Sequence, residues 1–258
     1  MKLFRKRARR KWVMRYINKA RRSGPLHFTL IDPDKQSPAE AAKLAATAKR
    51  LGTDAIMIGG SQAAQAIFLN DTISAIKERC DLPVILFPSS HSGISPHADA
   101  VFFMSLLNSR STSYLVDEQV KGAVLVKSYG VEALPMGYLI VESGKMTSAA
   151  WAGDAKPLPR EKPDFAVAYA LAAKYFGMRF VYLEAGSGAE QPVPDEMIAA
   201  TKQATSGNGT MVIVGGGIRD EKTARKKVRS GADIIVTGTI AENDQDAFAR
   251  IIRAVKKG

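Results

Sequence analysis

The sequence predicts a single α/β domain, an eight-stranded (β/α)8 barrel of the TIM type, and three observations carry that expectation. Eight short apolar runs follow one another, and most are continuously apolar rather than alternating, as parallel strands covered on both faces must be. Stretches of helical composition separate nearly all of them. The 258 residues match one barrel of about 250, with no linker or low-complexity tract to divide the chain.

In chain order, residues 1–24 read as a basic amphipathic helix, because Trp12, Val13, Tyr16, Ile17 and Ala20 recur at helical spacing and Gly24-Pro25 ends the pattern. The barrel then occupies 25–258. Its strands are expected at 26–32, 55–60, 84–89, 100–106, 135–141, 179–185, 211–216 and 234–239. Helices are expected at 38–51, 62–79, 115–129, 164–176, 195–205, 220–230 and 244–257, with Pro38 opening the first and Gly52 and Gly231 closing two others. One helix is missing. The third crossover, SSHSGISPHAD, is interrupted by Gly93 and Pro96 and is too short to carry helix 3. It is either a shortened surface crossover covered by other parts or by a neighbouring subunit, or the edge of a groove leading from the catalytic face along the flank. Such a groove suits a ligand much longer than a small phosphate compound. Phe87, Phe102, Phe103, Met104 and Leu106 border the gap, and most of them are expected to fill the interior.

Composition limits the setting. The one cysteine, Cys80, cannot form an intrachain disulfide. No signal peptide is evident and no apolar run nears the roughly 18 residues of a membrane span, so a cytoplasmic location is expected. His27, His91 and His97 lack metal-ligand spacing, and the last two read as solvated loop residues. Charge is concentrated at one end: residues 1–22 hold eleven Lys or Arg and no acid, out of a net charge of +12. That helix can plug the barrel floor, lie on a membrane surface, or serve as a nucleic-acid arm. The first two are compatible with each other, and no nucleic-acid partner is expected.

The carboxyl ends of the strands suggest the chemistry. MVIVGGG and IIVTGT end in Gly215-Gly216-Gly217 and Gly238-Thr239, two strand-to-helix turns that expose backbone N–H groups with little side-chain bulk. Paired at the last two strands of a barrel, they suit a phosphate on a small molecule. Asp32, in LIDPDK, and Ser61, in IGGS, place a carboxylate and a hydroxyl at the ends of the first two strands, which suits a hard cation such as Mg²⁺ or, for Asp-Pro-Asp alone, a capping turn. On the sixth strand Tyr182 and Glu184 point to the same side, and Glu184 can accept a hydroxyl proton or form a salt bridge at the rim.

The motifs HFTLIDPDK, IMIGGS, PVILFPSS, ADAVFFMSLLNS, PMGYLIVESG, VYLEAGSGA, IVGGGIRD and GADIIVTGT, in this order, resemble the geranylgeranylglyceryl phosphate synthase family, in the branch that includes most archaeal members. The resemblance spans 26–239. It implies a prenyltransferase of phospholipid biosynthesis that joins geranylgeranyl diphosphate to the 3-hydroxyl of sn-glycerol 1-phosphate and releases diphosphate. It also implies Mg²⁺ on Asp32 and Ser61, and glycerol phosphate held by Tyr182, Leu183, Glu184, Ala185, Gly186, Ser187, Gly188, Gly216, Gly217, Gly238 and Thr239. Members are commonly dimers or rings of dimers, so a homo-oligomer is expected. In that frame Lys35 assists the leaving diphosphate, Glu184 takes the hydroxyl proton, and the open flank holds the prenyl tail. A different phosphate-using barrel enzyme would share the glycine turns, but would not need Asp32 with Ser61 or an open flank.

Overall fold

The computed structural model describes residues 12–59, 65–144, 146–207 and 209–258. Eight parallel strands close into a barrel in sequential order: β1 (Leu26–Ile31), β2 (Ala55–Gly59), β3 (Val84–Phe87), β4 (Ala100–Leu106), β5 (Glu132–Ile140), β6 (Phe180–Glu184), β7 (Met211–Gly215) and β8 (Ile234–Thr237). Closure comes from β1 against β8, with Leu26 opposite Ile234 and Thr29 opposite Thr237. The predicted architecture is thus observed, apart from segment ends. β5 starts earlier than expected and runs through Pro135, because its register with β4 is unbroken from Ala100–Glu132 to Leu106–Tyr138.

The outer elements are α1 (Val13–Arg21), α2 (Pro38–Leu51), α3 (Gln65–Arg79), α4 (Glu118–Tyr129), α5 (Ser148–Ala152), α6 (Pro163–Tyr175), α7 (Asp195–Ala204), α8 (Glu221–Arg229), α9 (Thr239–Asn243) and α10 (Gln245–Lys256). Ser37 opens α2 with a capping box to Glu40, and Gly52 closes it in the left-handed conformation at φ +102°. Between β3 and β4 only a 3₁₀ turn, His91–Gly93, replaces the missing helix. A π-helical turn, Ser113–Asp117, leads into α4. The short helices α5 and α9 were not expected, since five residues leave too little periodicity to read. The first residues of the predicted helix 62–79, like residues 1–11, lie outside the described residues.

Helix α1 closes the barrel floor. Val13 and Ile17 are fully buried in the same cluster as Leu26, Phe28, Met57, Phe102 and Phe180, which fill the interior. Each such side chain contributes about 1.5–3 kcal/mol on burial. The first turn of α1 is tied down by Glu132 at the start of β5, whose carboxylate accepts from Val13 N (2.8 Å) and Met14 N (3.1 Å). Tyr16 donates to the Asp54 carbonyl and Arg21 pairs with Asp233 at 2.6 Å. Three aspartates stitch the floor in the same way. Asp54, Asp99 and Asp233 each precede a strand, accept an N–H from the start of a neighbouring strand (His27, Val84 and Val212) and pair with a lysine from the helix layer. No helix among the described residues is long and apolar enough to cross a membrane.

His27 lies in the layer between sheet and helices, fully buried, with Nδ1 at 2.9 Å from Thr53 Oγ1, Nε2 at 2.9 Å from Thr237 Oγ1, and its ring edge-on to Phe248. Burial, aided by Lys256, pushes its pKa down to about 3, so it stays neutral when folded. The unfolded chain binds this proton near pH 6.5 and the folded chain does not, so the contribution is complete above pH 6.5 and falls as pH drops toward 3. Urea unfolding between pH 7 and pH 5 should therefore lose up to about 1.4 kcal/mol per pH unit below pH 6.5. A His27→Gln variant, less stable throughout, should lose that slope.

Candidate active site

The carboxyl ends of the strands surround one cavity of about 820 Å³. At one end it reaches Asp32 and Lys35 after β1. It crosses the turns after β6, β7 and β8, and it extends along the flank past His91, Ile94, Phe103, Gln119 and Gly122. The predicted groove beside the shortened crossover is therefore continuous with the catalytic mouth.

The wall from β6 to β8 is built from glycines and one acid. Gly186, Gly188, Gly216 and Gly217 all have φ between +69° and +106°, the region only glycine enters cheaply. At Gly216 space forbids a side chain as well, since a Cβ would lie 2.5 Å from Gly186 N and 2.6 Å from Glu184 Oε1. Across the same wall the Ser187 and Thr239 hydroxyls lie 3.2 Å apart. The backbone N–H groups of Ser187, Gly188, Gly216, Gly217, Gly238 and Thr239 find no backbone acceptor among the described residues. N–H groups without backbone acceptors on three neighbouring turns suit an oxyanion.

Glu184 sits at the foot of this wall, 8% exposed. Its Oε1 accepts from Gly186 N at 2.6 Å, and the Tyr182 hydroxyl hydrogen-bonds the same carboxylate. Burial holds the Glu184 carboxyl above its ordinary range, with these two hydrogen bonds pulling the other way. Burial also keeps the Tyr182 and Tyr138 phenols neutral, their rings 5.3 Å apart. Of the predicted ligand residues, Glu184, Gly186, Ser187, Gly188, Gly216, Gly217, Gly238 and Thr239 line the cavity. Tyr182 lies beneath Glu184 in the interior, while Leu183 and Ala185 face the helix layer, so their side chains are turned from the cavity.

Asp32 faces the cavity from the end of β1, the strand next to β8. Its Oδ1 accepts from Asp34 N (3.1 Å), and Oδ2 stands 3.5 Å from Lys35 Nζ, longer than a hydrogen bond. A half-buried carboxylate with one oxygen loosely engaged fits a hard cation. Ser61 lies outside the described residues. Glu242, missed in the sequence, adds a second acid here; burial raises its pKa, Lys35 opposes this, and Asp32 reinforces it.

On the flank, His91 is not a free loop residue. Its N–H and Nδ1 meet Glu118 Oε2 at 2.8 and 2.7 Å, and Lys121 Nζ lies 2.8 Å from Oε1. Burial works against ionisation of Glu118, but Lys121 and the His91 hydrogen bonds overcome it and hold the carboxyl at about 2. The shortened crossover is thereby clamped to α4.

A family model described as the PcrB family matches residues 16–258. The geranylgeranylglyceryl phosphate synthase of Methanothrix thermoacetophila is 55% identical over 231 residues, covering 90% of this chain and 89% of that protein. That of Pyrococcus furiosus is also 55% identical over 231 residues, 90% of each chain. Among solved structures, the (S)-3-O-geranylgeranylglyceryl phosphate synthase of Thermoplasma acidophilum, in complex with its substrate sn-glycerol-1-phosphate, superposes with a TM-score of 0.90 at 43% identity, covering 95% of this chain and 99% of that one.

The crowding at Gly216 has a testable consequence. Gly216→Ala should weaken inorganic phosphate binding tenfold or more in calorimetric titration. Gly24→Ala, where φ is +140° but nothing lies within 4 Å, should strain only its own turn and leave phosphate affinity unchanged.

Proposed function

We propose that this chain, which belongs to the PcrB family, joins a geranylgeranyl group to the 3-hydroxyl of sn-glycerol 1-phosphate, the step that makes an ether bond of archaeal-type membrane lipids. The observation that carries this reading is the continuity of one cavity from a wall of phosphate-type turns to an apolar flank opened by the missing helix. The polar end suits the glycerol phosphate and the flank suits a long prenyl chain.

In this reading Glu184 is the general base. It takes the proton of the 3-hydroxyl as that oxygen bonds to the allylic carbon, and the bond from that carbon to diphosphate breaks. Burial above the ordinary carboxylate range makes Glu184 a better proton acceptor, while Gly186 N–H and Tyr182 fix its orientation. Asp32, with Ser61, would hold Mg²⁺, which when bound neutralises charge building on the leaving diphosphate. Lys35, beside Asp32, adds positive charge at the same end. The three turns place the acceptor, so much of the rate enhancement comes from orientation.

Assembly and setting belong to the same proposal. The protein is a cytoplasmic homo-oligomer, a dimer or a ring of dimers, joined through the apolar outer faces of α4 and α6, which follow neighbouring strands. Val120 and Val124 are 66% and 64% exposed, and Phe165, Tyr175 and Phe176 are 51%, 78% and 72% exposed. Large exposed apolar patches mark contact surfaces. The strong positive charge of residues 1–22 suits anionic lipid headgroups, from which a lipophilic donor must come.

Incubation with sn-glycerol 1-phosphate, Mg²⁺ and prenyl diphosphates of several lengths, followed by mass spectrometry, should give the C20 ether as the main product. Absence of any prenylglyceryl phosphate would reject the activity. Glu184→Gln should lower kcat by about 10²–10⁴ with little change in donor binding. Asp32→Ala should abolish most Mg²⁺-dependent turnover. The acid limb of kcat/KM should lie above the ordinary glutamate value of 4.5 and vanish in Glu184→Gln. For assembly, a Val120→Glu/Val124→Glu double variant should shift the mass by light scattering to monomer.

A further inference from the structure

We propose that Arg219 is a phosphate-binding residue of the acceptor subsite, its guanidinium fixed in place by the carbonyls of Gly188 and Ala189. The inference rests on the reading of the β6–β8 wall as the glycerol phosphate end of the cavity. Arg219 lines that cavity two residues beyond Gly217. Its Nη2 donates to Gly188 O and Ala189 O, both at 3.0 Å. No carboxylate among the described residues pairs with it, so Nη1 and Nε stay available in a side chain whose orientation is already set.

Charge makes the assignment specific. The other ionisable side chain lining this wall is an acid, Glu184, while Lys35 is placed next to Asp32 and Glu242 at the metal end. Neutral backbone donors beside a buried carboxylate hold a dianion poorly, and a guanidinium supplies the missing positive charge through charge-assisted hydrogen bonds. Anchoring by the loop carbonyls lowers the entropy lost on binding. The same two bonds brace the turn carrying Ser187 and Gly188, whose inner end is already held by Glu184 on Gly186 N. Arg219 thus contacts the phosphate and steadies the donors around it.

The test compares full-length wild type, Arg219→Lys and Arg219→Gln by calorimetric titration with sn-glycerol 1-phosphate and with inorganic phosphate, alongside steady-state kinetics and Tm. Arg219→Gln should weaken both probes and raise the acceptor KM by about 10–100-fold, leaving kcat at saturating acceptor within about threefold and donor KM unchanged. Arg219→Lys should recover part of the loss, and salt should weaken binding to wild type more steeply than to Arg219→Gln. Unchanged affinity in Arg219→Gln overturns the proposal. Equal losses in Lys and Gln variants also overturn it, by reducing Arg219 to a loop brace. If Arg219→Gln does not fold, unaltered affinity and salt dependence in Arg219→Lys overturn it. Wild type that binds inorganic phosphate but not glycerol phosphate refutes the acceptor, not Arg219, which is then judged on the inorganic probe. Wild type that binds neither overturns both.

Discussion

Pairing of β1 with β8 is the contact on which the functional mouth depends. It joins strands some 200 residues apart and brings the end carrying Asp32 beside the end carrying Gly238 and Thr239. Gly238 is tight against β1 for this reason, since a Cβ there would meet Leu30 O at 3.2 Å. Without closure the acid after β1 and the turns after β7 and β8 would lie at opposite edges of an open sheet. Closure in turn needs a filled interior, and the fill comes from below, where Glu132 and Asp233 hold α1 under the barrel. The floor is rigid and charged, and the mouth is made of small residues, so stability and reactivity occupy opposite ends of the strands.

Within the mouth, charge is divided by wall. Asp32, Lys35 and Glu242 cluster at one end, while the wall from β6 to β8 offers backbone donors, Glu184 and Arg219. In the proposed reaction the diphosphate, with more charge to neutralise, goes to the end where Asp32 would hold a divalent cation, and the monophosphate goes to the N–H groups of the glycine turns. Glu184 lies between the phosphate turns and the interior, dry enough to favour its protonated form yet hydrogen-bonded enough to stay oriented when ionised. Removing either hydrogen bond would change its basicity and its position together.

Much of this was legible in the sequence because it is local. Buried parallel strands are continuous apolar runs, glycine turns are consecutive residues, and an eleven-residue crossover cannot hide a helix. Asp32, Glu184 and the turns were found on that basis. What escaped was tertiary. Glu118 clamps His91 across 27 residues of chain, and His27 finds its hydroxyl partners on β8 and just ahead of β2, so neither role has a local signature. Leu183 and Ala185 entered the ligand stretch as a block, although strand alternation already turned their side chains toward the helices. Arg219 was in view within IVGGGIRD, but its proposed role appears only when the uncharged donors and the Glu184 carboxylate of the same wall are seen together.

The missing third helix is better understood as a construction than as a loss. A full helix would have covered the flank of β3 and β4 and sealed the cavity there. In its place a single 3₁₀ turn is drawn close to α4, and two residues make that approach possible. Gly122 sits buried in the helix, where glycine costs about 1 kcal/mol relative to alanine, because a Cβ would lie 2.8 Å from Ile94 Cδ1. Glu118, one turn earlier, grips the His91 N–H and ring. Ile94, Phe103 and Gly122 line the flank of the cavity beside this contact. The barrel therefore gives up one helix and carries a poor helix former in α4 where the cavity runs along its flank, an extension that a phosphate compound alone would not require.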